Sequence, residues 1–249
     1  MSWNLPVMRI SLKKEKRSMR FQSSIGLLVA NLCLSASQGQ YRVLPGKTAP
    51  GDFDDCDPKT PARICRGETG EAHCYAPPND KSDSSSDDAY IFGLEPSARA
   101  VARLDGKELT LFTAMFSGCG SGTLTHFSLL TFRDGEFVNL LPKVELTNQS
   151  EYKLWSLPHF SNIPVLATAD YIWDYNAMEK SKYTEETHFA RHRYTISLYI
   201  FESKSGRFIQ RLQYLTSKKY PGLDDVDEIR VLESERPVIL SELRKSSAH

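Results

Sequence analysis

The sequence predicts a mainly β protein, built as an antiparallel sandwich or as partial-propeller-like sheets, with a short helix near its C-terminal end. The stretch Leu111–Arg133 contains two apolar runs of strand length joined by a turn of Gly, Ser and one Cys, which is typical of a central hairpin. Asp-Gly pairs beginning at Asp105 and Asp134 mark tight turns on either side of it. Apolar and polar residues then alternate over Arg193–Ile200, which is the period of a half-buried strand.

The first 37 residues have the pattern of a secretory signal peptide. A basic stretch, Lys13–Arg20, precedes the apolar run Ile25–Leu34, and small residues follow up to Ser37. The apolar run is too short to span a bilayer core of about 30 Å. We expect cleavage close to Ser37, with Met19 as an alternative translation start. The remaining chain is predicted to be periplasmic or extracellular and to have no membrane span.

The charge balance of the predicted mature chain differs from that of the whole sequence. The whole chain has 31 basic and 31 acidic residues, but six basic residues and one acidic residue lie before residue 38. Subtracting these leaves 25 basic and 30 acidic residues. A mildly acidic protein without a basic stripe lacks the electrostatic footprint that nucleic acids require. Nucleic acid is therefore not an expected partner.

Four cysteines follow the leader: Cys56, Cys65, Cys74 and Cys119. An even number of cysteines in an exported protein predicts disulfides, and four cysteines permit three pairings. A local bridge between Cys65 and Cys74 is sterically reasonable because the eight residues between them can turn as a hairpin. Cys56 would then pair with Cys119. Zinc sites use closer ligand spacings, so no metal is expected here.

Two regions follow the leader. Residues 38–88 are rich in Pro, Gly and Asp, have no helical or strand period, and are predicted to be an extended, disulfide-held, partly low-complexity region. Residues 89–245 are predicted to form a single β-rich domain with a C-terminal helix. The expected strands are Tyr90–Pro96, Ala98–Arg103 (or one helical turn), Glu108–Phe116, Thr123–Arg133, Glu136–Leu141, Glu151–Leu157, Val165–Trp173, Arg193–Ile200 and Arg207–Thr216.

The C-terminal tail predicts one or two short helices within Asp224–Arg244. Ser234 is the expected N-cap, with Pro237 tolerated in the first turn. The polar residues Gln210 and Gln213 of the preceding strand indicate a position at an edge or on an exposed face.

Two constellations could carry chemistry. Cys119 lies between small residues, as in thiol hydrolases, with His126 nearby, but the predicted strand after the turn does not match a strand-turn-helix nucleophile elbow. A disulfide anchor is the favoured interpretation. His188 and His192 are four residues apart and would share a helix face, but His192 adjoins a predicted strand, so no metal site is expected.

Aromatic residues and these histidines gather near the charged excursion that follows Tyr171. Exposed aromatic rings can stack on sugars or pack against peptides, although strand aromatics also build cores. The sequence predicts no catalytic residue and no cofactor. The candidate ligand surface consists of Trp155, Tyr171, Trp173, His188 and His192.

The runs FSGCGSGTLTHFSLLTFRDGEFVNLLP, HRYTISLYIF and RLQYLTSKKYPGLD resemble bacterial exported proteins of uncharacterised function. Their alternating β segments are similar to FG-GAP or VCBS propeller-type repeats, and the resemblance covers about Tyr90–Leu243. It implies an exported β module and says nothing about a substrate. The chain departs from the calcium-binding form because it has no Asp-x-Asp-Gly-x-Gly loop.

These observations predict an exported, non-enzymatic binding or structural module with an unknown ligand or protein partner, and a ligand surface near Tyr171–His192. The alternative is a secreted hydrolase that uses Cys119 or a site formed by His188 and His192.

Overall fold

A computed structural model describes residues 41–47, 58–67, 73–78, 90–117, 123–147, 150–172, 191–220 and 230–247. All of these belong to the compact unit Gly39–His249. They form three antiparallel sheets and one helix, which confirms the mainly β prediction.

The strands are numbered in chain order within three sheets. The N-terminal sheet contains β1 (Tyr41–Leu44), β2 (Arg63–Arg66) and β3 (Cys74–Tyr75). The central sheet contains β4 (Leu94–Leu104), β5 (Lys107–Ser117), β6 (Thr123–Arg133), β7 (Glu136–Asn139) and β8 (Val144–Thr147). The outer sheet contains β9 (Glu151–Trp155), β10 (Val165–Tyr171), β11 (Tyr194–Glu202) and β12 (Arg207–Leu215). The helix α1 spans Val231–Ser247.

The predicted central hairpin is present as β5 and β6. The two strands pair continuously from Leu109, opposite Thr131, to Ser117, opposite Thr123. Strand β4 lies on one side of the pair, and β7 and β8 lie on the other. Residues 118–122 of the connecting turn lie outside the described residues.

The two faces of this hairpin build two different cores. Leu111 and Leu129 pack in one core with Leu166 of the outer sheet. Phe112 lies on the opposite face of β5, because successive strand side chains alternate, and packs with Ile64 of the N-terminal sheet. The central sheet therefore lies between the N-terminal sheet and the outer sheet.

Helix α1 covers the remaining face of the outer sheet. Ala167 of β10 and Ile196 of β11 share a third core with Ile239 and Leu243 of the helix. The alternation predicted for β11 is confirmed, and its apolar face is the one that meets α1.

The two Asp-Gly turns follow from backbone geometry. Asp105 and Gly106 have φ angles of 50° and 77°, and Asp134 and Gly135 have φ angles of 51° and 88°. Two successive positive φ values are what a type I′ hairpin requires, and Asp-Gly supplies them at low steric cost. Both turns are confirmed.

The prediction that a strand stops at Pro96 is wrong, because β4 continues through it to Leu104. Strand β4 is at the edge of the central sheet, where a residue without an N–H is tolerated. A register shift between Leu94 and Ser97, with Glu95 at a φ of 41°, accommodates the proline.

Strands β1, β2, β3 and β8 were not predicted. They contain two to four residues each, which is too short to display a period of two. Their pairing partners and the cores they cover define them. The described residues of the N-terminal region therefore contribute a packed layer.

The prediction that the helix begins at Ser234 is also wrong. Helix α1 begins at Val231, so Ser234 and Pro237 lie inside it. The cap comes from another part of the chain, since the Glu151 carboxylate accepts a hydrogen bond from the Leu232 N–H at 2.9 Å. In the described part of the chain, no helix combines the length and apolar character needed to cross a membrane.

Candidate functional site

Three of the five predicted ligand-surface residues are in the core. Trp155, Tyr171 and His192 are only 6%, 2% and 2% exposed. The Tyr171 hydroxyl and His192 Nε2 are hydrogen bonded at 2.7 Å, and their rings lie 4.2 Å apart. These side chains stabilise the region near α1 in this structure. Trp173 and His188 lie outside the described residues, so the surface they would form stays a prediction.

The local disulfide between Cys65 and Cys74 is present, with an S–S distance of 2.03 Å. It joins β2 to β3 where these two residues face each other. Cys56 and Cys119 lie outside the described residues. Across the described ranges, no group of three His, Cys, Asp or Glu side chains is arranged to hold a metal ion.

A buried carboxylate attaches α1 to the outer sheet. Glu235 accepts hydrogen bonds from the Tyr214 hydroxyl at 2.9 Å and from the Tyr220 hydroxyl. We call Glu235, Tyr214 and Tyr220 the helix latch. Burial, together with the hydrogen bond to Glu235, raises the pKa of both tyrosines well above its ordinary value. Both hydroxyls therefore remain protonated donors at neutral pH.

Tyr194 lies on the same face of the outer sheet and differs from the latch tyrosines. Its hydroxyl is buried and has no hydrogen-bond partner among the described residues. Burial raises its pKa strongly, and the negative charges of Glu151 and Asp170 add to this effect. Tyr194 therefore stays neutral and does not release its proton at physiological pH.

A second buried network links the N-terminal sheet to the central sheet. His126 Nε2 lies 3.0 Å from Ser128 Oγ, which lies 2.8 Å from the Tyr75 hydroxyl. His126 Nδ1 lies 3.8 Å from a carboxylate oxygen of Glu145, its cross-strand neighbour on β8. We call these four residues the His126 relay.

The relay has the residue types of a hydrolase triad but a different environment. A nucleophilic serine must meet a substrate carbonyl. Ser128 is fully buried, and its hydroxyl contacts Tyr75 of β3. Hydrogen bonds therefore join His126, Ser128 and Tyr75 into an internal chain between two layers. His126 Nδ1 makes no hydrogen bond within the described part of the chain and lies only at ion-pair distance from Glu145. Sequence spacing places His126 and Ser128 on one face of a strand, but the pairing that adds Glu145 has no sequence signal.

An open cleft lies beside the edge of the outer sheet. Leu198 pairs with Leu212 and Tyr199 pairs with Gln210, so Arg211 is the extra residue of a β-bulge. The cleft beside this bulge has a volume of about 230 Å³. We call it the edge cleft. It is lined by Phe160, Ile200, Phe201, Glu202, Ile209, Arg211 and Leu243.

The edge cleft is lined by apolar side chains and by two opposite charges, Glu202 and Arg211, so that its exposed lining is as polar as it is apolar. Bulges often re-aim a side chain beside a binding site. Sequence reasoning placed β12 at an edge or on an exposed face but missed the bulge, because the extra residue is visible only against the register of β11.

Comparisons with protein-family models, with curated protein sequences and with solved structures found no match to this chain.

Proposed function

We propose that this chain is an exported, non-enzymatic binding module that receives part of its partner at β12 and in the edge cleft. The observation that carries the proposal is the coincidence of three features along one strand. Strand β12 ends the outer sheet, Arg211 forms a bulge in it, and the cleft opens beside that bulge. A sheet edge offers backbone hydrogen bonds to an incoming strand, and a neighbouring cleft supplies side-chain selectivity.

Side chains are exposed along much of β12, although one end of its outer edge is covered. Near its start, the Phe208 N–H donates to the Leu140 carbonyl at 2.7 Å, so this end is covered. Beyond it, Gln210, Gln213 and Leu215 are exposed. Leu215 is 48% exposed, which is high for a large apolar strand residue.

The edge of the central sheet differs from that of the outer sheet. Strand β4 contains Pro96, a left-handed residue at Glu95 and two register shifts, all of which discourage pairing with another strand. Strand β12 has no proline and one bulge. Of these two edges, β12 is better suited to receive a partner.

Export is part of the proposal and rests on the leader pattern. The Cys65–Cys74 disulfide supports it, because such bonds persist in oxidising compartments. N-terminal sequencing of the protein secreted or exported by expressing cells tests this part. A new N-terminus close to residue 38 supports export, and an intact leader on a protein retained in the cytoplasm contradicts it.

No observation on the described residues favours the hydrolase alternative. His192 is buried, and its Nε2 contacts Tyr171. Cys119 and His188 lie outside the described residues.

Selection from a random dodecapeptide display library tests binding at the edge cleft. Ile209→Trp should fill the cleft, and Val238→Trp adds the same ring at an exposed position of α1. Selected peptides should bind Ile209→Trp at least about tenfold more weakly than wild type, a loss of about 1.4 kcal/mol. Urea unfolding of both variants verifies that they fold. Failure to select any peptide, or equal affinity for wild type and both variants, contradicts the proposed function.

A further inference from the structure

We propose that the occupant of this edge is an extended acidic segment of a partner protein, which joins β12 as an additional strand and puts an apolar side chain into the edge cleft. This inference rests on the proposed function and names the chemistry of the partner.

The charge around β12 is strongly biased. From Glu202 to Lys219 the chain has five basic residues and one acidic residue, whereas the predicted mature chain as a whole is acidic. All five basic residues are exposed: Lys204, Arg207, Arg211, Lys218 and Lys219. A local positive field on an acidic protein attracts acidic partners and speeds their association.

The position of this charge favours an extended partner. Arg207 and Arg211 lie on β12 itself, and Lys219 follows its end. The Lys218 ammonium instead turns toward α1, where it donates a hydrogen bond to the Ser234 hydroxyl at 2.7 Å. Three of the five basic residues therefore follow the strand. An added strand runs parallel or antiparallel to this row and passes each basic residue in turn. The edge cleft lies against the same strand, with Ile209 and Arg211 in its lining. A segment that carries acidic side chains and one apolar side chain matches both features.

A second copy of this chain is a poorer occupant. If β12 paired with β12 of another copy about a two-fold axis at Arg211, the two Arg211 side chains would lie opposite each other. Like charges on directly opposite strands are destabilising. The charge of β12 therefore favours a different, acidic partner.

The peptides selected against the wild-type protein test this inference through their composition and charge dependence. We expect enrichment in Asp and Glu and at least about tenfold weaker binding to Arg211→Glu. Arg99→Glu is the matched control, because Arg99 is an exposed arginine on the edge strand β4 of the central sheet. It should change the affinity less than about twofold. Raising the salt concentration to about 0.5 M should weaken binding, because exposed charges are then screened.

The outcomes separate the two proposals. Peptides that bind without acidic enrichment, or that bind Arg211→Glu as tightly as wild type, overturn the acidic-segment inference and leave a binding module in place. A dimer of the protein that Arg211→Glu dissociates identifies a second copy as the occupant and also overturns the inference. Failure to select any peptide counts against the proposed function itself.

Discussion

Replacing Glu235 by alanine should release helix α1 from the outer sheet. The Glu235 side chain is 4% exposed and accepts hydrogen bonds from Tyr214 and Tyr220. The substitution leaves both hydroxyls without their acceptor. A hydrogen bond to a charged group contributes about 1.5–3 kcal/mol, so two such bonds predict a loss of about 3–6 kcal/mol in the free energy of unfolding. The half-buried Tyr214 can regain water, so we expect a value near 3 kcal/mol.

Urea unfolding followed by tryptophan fluorescence measures this loss. Trp155 is a suitable reporter because it lies in the core covered by α1, with the Arg236 guanidinium 5.4 Å from its ring. Glu233→Ala is the matched control. Glu233 is 45% exposed and pairs with Lys153, so its removal should cost less than about 1 kcal/mol.

A marginally stable domain has only about 5–15 kcal/mol of stability, so the predicted loss is large enough to shift the unfolding midpoint clearly. If the Glu235→Ala and Glu233→Ala variants unfold at the same urea concentration, with the same dependence of the unfolding free energy on urea, then the helix latch does not hold α1 on the sheet.

Three further predictions concern the disulfide, the His126 relay and the latch tyrosines. Replacing both Cys65 and Cys74 by serine should lower the free energy of unfolding by about 3 kcal/mol in urea, because the bridge restricts the unfolded chain by closing a short loop. Unchanged stability would contradict a stabilising bridge. Ser128→Ala should lower the free energy of unfolding by about 1–3 kcal/mol, since it leaves polar atoms of the His126 relay buried without a partner. A neutral or stabilising effect in the same assay would show that the relay is dispensable. In an alkaline titration of tyrosinate absorbance, Tyr214 and Tyr220 should ionise only as the protein unfolds. Their pKa values are raised in the folded state, so their contribution to stability is complete below pH of about 10 and is lost as the pH rises further. The opposite result would be an ionisation phase that precedes unfolding and that loses amplitude in the Tyr214→Phe and Tyr220→Phe variants.

The features that sequence reasoning found are those set by neighbouring residues. The turns at Asp105 and Asp134 require a left-handed backbone, which Asp-Gly adopts readily. The alternation of apolar and polar residues in β11 indicates a strand with one apolar face. The pairing of Cys65 with Cys74 was accessible for the same reason, because the loop between them is short.

The features that it missed depend on contacts between distant parts of the chain. Helix α1 begins at Val231 because a carboxylate on β9 caps Leu232, and these two partners are 81 residues apart. The His126 relay needs the pairing of β6 with β8, and the bulge at Arg211 is defined only against β11. No local pattern encodes such partners.

The same dependence on distant contacts explains why three residues of the predicted ligand surface are buried. Trp155, Tyr171 and His192 are aromatic and amphipathic, so their residue types suit either a groove or a core. Trp155 and Tyr171 are buried in the core that α1 covers, and His192 is buried against Tyr171. The sequence pattern does not specify this packing. The edge cleft, by contrast, is lined mostly by ordinary aliphatic and charged residues, which have no distinctive signal.

Amide hydrogen exchange along β12 is the most direct test of the proposal that a partner adds to this edge. We expect a selected peptide to slow exchange at outward-facing amides between Gln210 and Leu215, and Arg211→Glu to abolish this protection at the same peptide concentration. Protection confined to other strands, or unchanged exchange along β12 when the peptide is bound, would contradict it.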